Sequence, residues 1–94
     1  MITIGSPVIV RTYSAGVHFG YYVTHDGKEI QLSEARRIWS WRGANTLHEI
    51  ALRGVGAGSN VSERVSTIVL TEAIEVIACT EAAKSNLETA TWAR

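Results

Sequence analysis

The segment Arg36-Arg37-Ile38-Trp39-Ser40-Trp41-Arg42 places two tryptophans among three arginines with no acidic residue between them. Indole faces stack on planar groups. Guanidinium groups are permanently charged forks that hold phosphate or carboxylate through paired hydrogen bonds. The segment leads into Thr46-Leu47-His48-Glu49, a capping box in which the hydroxyl and the carboxylate each satisfy a backbone N–H. A helix start offers N–H groups and a positive dipole end, so Asn45 and Thr46 add a second anion-binding element beside Arg42. A third lies in Arg11-Thr12-Tyr13-Ser14-Ala15-Gly16-Val17-His18, where an arginine, a tyrosine, a small hydroxyl and a turn glycine form a rim for a polar ligand. The candidate ligand-binding residues are therefore Arg11, Tyr13, Ser14, Gly16, His18, Arg36, Arg37, Trp39, Trp41, Arg42, Asn45 and Thr46.

Sets that break bonds are not apparent. Asp26 is the only aspartate and sits in a turn; His18, His25 and His48 have no metal-ligand spacing. No serine or cysteine has an evident base and orienting partner, and Glu34 and Glu49 read as solvated carboxylates. Cys79 is the sole cysteine, and its neighbours Ile77 and Ala78 point to a buried, inert thiol. Gly54-Val55-Gly56-Ala57-Gly58 follows a helix instead of a strand and lacks the Lys-Ser/Thr of a phosphate loop, so it reads as a flexible connection. No catalytic residue, metal or cofactor is expected.

Ninety-four residues make one domain, residues 1–94, and the 46% apolar and 19% charged shares are those of a folded soluble protein. Formal net charge is zero, which argues against long nucleic acid as the partner. The positive charge is local, and seven arginines against two lysines favour bidentate anion contacts. No secretory signal or membrane-length apolar run is present, so a cytoplasmic location is expected. A domain this small buries only about 60–65% of its unfolded surface, which makes a homo-oligomer the expected state. Trp92 follows the last helix with too little chain after it to be enclosed locally, and a partner subunit is a natural place for it.

The elements that must position these residues follow from periodicity. Residues 7–12 and 17–24 alternate as strands, Asp26-Gly27 is a hairpin turn, and residues 29–32 return. Residues 35–42 read as a fourth strand. Either the Trp39/Trp41 face packs inside, or Ile38 does and the indoles form an exposed platform. A helix runs over residues 47–53 with Gly54 as its stop, and residues 54–62 form a loop. Residues 65–70 and 73–79 are strands, and Thr80 caps a final helix with Ala83, Leu87 and Ala90 on one face. The expected fold is α+β: a small antiparallel β-sheet or partly open barrel, in the order ββββ-α-ββ-α.

Three stretches, Val10-Arg11-Thr12-Tyr13-Ser14-Ala15-Gly16-Val17-His18-Phe19-Gly20, Ala35-Arg36-Arg37-Ile38-Trp39-Ser40-Trp41 and Leu70-Thr71-Glu72-Ala73-Ile74-Glu75-Val76-Ile77, resemble a family of small uncharacterised proteins of tailed bacteriophages and prophages. The resemblance implies a phage origin and a host-cytoplasm setting. A small non-enzymatic phage protein with an Arg/Trp site is a candidate sponge for nucleotide immune signals, evading anti-phage defence. The alternatives are a nucleic-acid or protein interaction module, such as a virion or transcription accessory factor, and a small nucleotide-cleaving enzyme using His18 or His48.

Overall fold

A computed structural model describes residues 2–92. β-Branched and aromatic residues in alternation give a meander of three antiparallel strands: β1 (Pro7–Thr12), β2 (Val17–Asp26) and β3 (Glu29–Ser40). Helix α1 (Leu47–Arg53) follows, then β4 (Asn60–Val61), β5 (Val65–Leu70), β6 (Ala73–Ala78) and helix α2 (Glu81–Thr89). The strand order is β4-β3-β2-β1-β6, with β5 also paired to β3, and every pairing is antiparallel. This open sheet with two helices is the α+β class the sequence predicts. Among the described residues, no helix is long and apolar enough to cross a membrane.

The strands expected at residues 29–32 and 35–42 are one strand, β3, which stops at Ser40 and leaves Trp41 and Arg42 beyond it. Ser33-Glu34 interrupts the register and not the strand. Glu34 takes φ 48°, and three residue steps on β3 pass two on β2 between the pairs Tyr21–Ser33 and Phe19–Arg36. The extra residue exchanges the faces of everything after it. Ile30 and Leu32 share a core with Val8 and Val10; beyond the bulge Ala35 joins that core, while Ile38 packs on the opposite face. β4 lies inside the stretch expected as loop, because two residues are too few to show a period.

Both faces of the sheet are buried. Val8, Ile9 and Val10 are each 0% exposed, which an alternating strand achieves only with cover on both sides. On one side Ile9, Phe19, Ile38 and Val61 pack with Ile50 and Ala51 of α1 and Leu87 of α2. On the other, Val8 and Val10 of β1 meet Ile30, Leu32 and Ala35 of β3 and Leu70 of β5. β1 and β5 are separated by two strands in the sheet, so this second core requires the sheet to curl over itself. The two-residue link Thr71-Glu72 between β5 and β6, at opposite ends of the order, reflects the same curl.

Local signals place the helices. The Thr80 hydroxyl accepts from the N–H of Ala83 (3.1 Å), and Ala83 and Leu87 are buried beneath α2. Ala90 of the expected stripe stands at the C-cap, half-buried. Gly54 ends α1 with φ 84° and ψ −158°, a conformation open essentially to glycine alone, and donates its N–H to Ile50 (2.7 Å). Asn86 then clasps Val55, accepting from its N–H (2.8 Å) and donating to its carbonyl (2.9 Å). A Cβ at Gly54 would overlap the Asn86 side chain. Gly54→Ala is expected to lower stability by about 2–5 kcal/mol, combining backbone strain with overpacking. Urea unfolding measures this. Gly5→Ala, at φ 89° in open space, is the control that carries strain alone and should lose about 1–2 kcal/mol.

Candidate functional site

The arginine-tryptophan segment divides between the two faces of β3. Arg36 goes inward: it is 8% exposed and its guanidinium donates to four backbone carbonyls. Nε reaches Ser62 (2.8 Å), Nη1 reaches Leu87 (2.7 Å) and Glu88 (3.2 Å), and Nη2 reaches Ala90 (2.6 Å). Burial, and then the charge of Arg64, lower its affinity for the proton. With four of its five N–H groups given to α2 and the Ser62 link, Arg36 acts first as a structural cation.

Arg37 and Trp39 take the other face. Arg37 is held by its backbone, donating to Ser62 Oγ (2.8 Å) and accepting from the Ser62 N–H (2.9 Å). Among the described residues its exposed guanidinium has no hydrogen-bond or ion-pair partner. Trp39 is 56% exposed and lies stacked on Trp92, with ring centroids 6.2 Å apart and planes 20° from parallel. Trp41, past the end of β3, is half-buried against the helix-side core and does not share the platform. The open alternative therefore resolves with Ile38 inside and one indole out.

Trp92, expected to lack enclosure by its own chain, is 45% exposed and, among the described residues, has one aromatic neighbour, Trp39. After α2 the chain forms a single bridge from Trp92 to Asn60 and a 3.4 Å hydrogen bond from the Val61 N–H to Thr91. Between this segment and the β4–β5 link runs a groove of about 620 Å³ lined by Arg36, Val61, Ser62, Glu63, Thr91 and Trp92. That volume is in the range of small-ligand pockets.

The other expected ingredients lie elsewhere. Arg11 is ion-paired with Glu75 (2.9 Å) across the β1–β6 pairing. Ser14 donates to the Glu72 carboxylate, and Tyr13, 79% exposed, lines a cleft with Lys28, Glu72 and Ile74. Gly16 (φ 83°) makes the β1–β2 turn, its carbonyl accepting from the Thr12 N–H (3.0 Å). Arg42 is exposed, its side chain lying along Gly58 and its N–H bonded to Ser59 Oγ (2.9 Å). The start of α1 is already filled: Thr46 accepts from Glu49 (3.2 Å), and the Glu49 carboxylate takes the Asn45 N–H (3.3 Å). None of these residues lines the groove beside Trp92. What the sequence missed is Ser62, Glu63, Thr91 and Trp92, which carry no local motif.

Two titratable groups have been withdrawn from solvent. Cys79 is half-buried and burial raises its thiol to about 12, so it stays protonated at neutral pH. His18 is 1% exposed, with Nε2–H donating to the Ala15 carbonyl (2.9 Å). Among the described residues no group of three His, Cys, Asp or Glu could hold a metal.

Burial lowers the His18 pKa from 6.5; the Ala15 bond partly opposes this, and Arg37, directly opposite on β3, adds to it. The unfolded chain therefore binds the proton first. The stability contributed by neutral His18 is complete above pH 6.5 and is lost as pH falls from there through the lower native value. Unfolding free energy should decline as pH falls below 6.5, before the carboxylates begin to titrate. His18→Gln should flatten that decline. An unchanged slope would contradict the burial of a neutral imidazole.

No curated protein and no solved structure matches the chain significantly. A family model described as a domain of unknown function, DUF6948, matches residues 5–87. That span takes in the whole sheet, both arginines of β3 and α2 through Leu87. The chain belongs to the DUF6948 family.

Proposed function

We propose that this domain is a non-enzymatic binder of a small nucleotide-type anion. In the phage setting its motifs imply, it would sequester a host immune signal in the host cytoplasm. The observation that carries the reading is the exposed Trp39–Trp92 stack beside the unpartnered Arg37 guanidinium. Trp39 and Arg37 are two residues apart on one face of β3, so stacking surface and charge reach a ligand from the same side. Each outer indole face can take a base, and a guanidinium can take a phosphate in two parallel bonds. Glu63 in the adjoining groove is an acceptor for an amino group or a sugar hydroxyl. The site is narrower than the sequence suggested: Arg37, Trp39 and Trp92 form it, with Arg42 and the Arg11–His18 rim outside.

Indole fluorescence tests the reading. A cyclic or mononucleotide should quench the tryptophan emission more strongly than a short oligonucleotide, and Trp39→Ala should remove most of the response. The nucleotide should be recovered intact after long incubation. An oligonucleotide response that is equal or stronger, with a steep salt dependence, would replace this reading with nucleic-acid binding. Turnover abolished by His48→Ala would replace it with catalysis.

A further inference from the structure

The outer edge of β5 is left open in a way that the rest of the sheet is not. β5 pairs with β3 along its inner side, from Val65↔Ala35 to Leu70↔Ile30. Among the described residues no backbone hydrogen bond reaches its outer side. Proteins usually blunt such an edge with charge, proline, a bulge or a covering element. Val65-Ser66-Thr67-Ile68-Val69-Leu70 has no charge, proline or glycine, and Val65 and Val69 are 48% and 50% exposed. β6, at the other edge, carries Glu75 in an ion pair with Arg11. The contrast leaves β5 as an edge with room for a further strand.

We propose that β5 pairs with β5 of a second copy of this chain, antiparallel, across a two-fold axis at Ile68. Such an axis stands perpendicular to the sheet and keeps both copies' faces in line, so opposed residues must differ by an even number. Centring on Ile68 sets Thr67 against Val69 and Ser66 against Leu70, and brings Arg64, just before the strand, to the same end as the partner's Glu72, in the link just after it, so that opposite charges flank both ends. Moving the axis one residue, to Thr67 or Val69, sets Arg64 against Leu70 or Ile74 and loses both charge pairs. Arg64 spends one N–H on the Glu88 carbonyl (3.1 Å), and Glu72 accepts from Ser14; both side chains are exposed and keep further donors and lone pairs for the partner. The occupant is thus a second copy, because the strand's flanking charges complement each other.

Light scattering at micromolar concentration should give twice the 10.2 kDa mass of one chain. Thr67→Lys with Val69→Lys sets lysine against lysine twice across the axis and should give the monomer mass. Both positions are exposed, so the fold, followed by circular dichroism, should persist. Thr67→Lys with Val69→Glu sets lysine against glutamate in the same register and should restore the dimer. A monomeric native protein overturns the proposal. So do equal masses for the two double variants, and so does failure of the Lys/Glu variant to dimerise.

Discussion

Arg36 carries a positive charge into the protein and meets it there with carbonyl oxygens alone. Among the described residues no carboxylate lies within ion-pairing distance, and the four acceptors are Ser62, Leu87, Glu88 and Ala90. Three of these are at the C-terminal end of α2, where carbonyls lack helical partners and the helix dipole is negative. The charge and the helix end therefore solve each other's problem. Removing either would leave buried polar groups unmatched, at a cost several times that of an ordinary exposed ion pair. Because Arg36 is also bonded to the β4–β5 link, one side chain fixes α2 against β3 and against the sheet edge. Leu87 then falls into the helix-side core, and the chain after α2 arrives beside Trp39.

That arrangement depends on the bulge at Glu34. Without the additional residue, Arg36 would continue on the face of Ile30 and Leu32, inside the curl, where no helix end awaits it. With it, Arg36 and Ile38 turn toward the helices while Arg37 and Trp39 emerge on the other side. A single left-handed residue thus decides which arginine is structural and which is available. The same strand serves two cores, which is how a chain of 94 residues buries both faces of one sheet.

Features set by neighbouring residues were legible in the sequence. The alternation of β1 and β2, both threonine caps and the Gly54 stop need only local chemistry, and each stands where its signal lies. The hairpin turn falls one residue later than expected, at Gly27-Lys28, with Asp26 still in β2 opposite Glu29 and only Gly27 at positive φ. Glu34 was opaque because a non-glycine residue at positive φ carries no composition mark. The role of Arg36 was opaque because its acceptors are backbone carbonyls up to 54 positions away, and any residue supplies a carbonyl. The segment around Arg37 and Trp39 was visible as chemistry. Its partition between faces was not, since that required the bulge, and the Trp39–Trp92 stack was hidden because nothing near Trp92 in the sequence marks Trp39 as its neighbour.

The two adjacent arginines take opposite roles, and this division can be read directly by measuring unfolding free energy and nucleotide affinity on the same two variants. Arg36→Ala should lower stability by about 3 kcal/mol or more, since several charge-assisted bonds to buried carbonyls are lost together. Arg37→Ala should leave stability within about 0.5 kcal/mol, as for an exposed side chain without partners. It should weaken mononucleotide binding roughly ten- to a hundredfold, the equivalent of one charge-assisted bond. A stable Arg36→Ala protein with impaired binding, beside an Arg37→Ala protein with neither defect, would contradict both assignments.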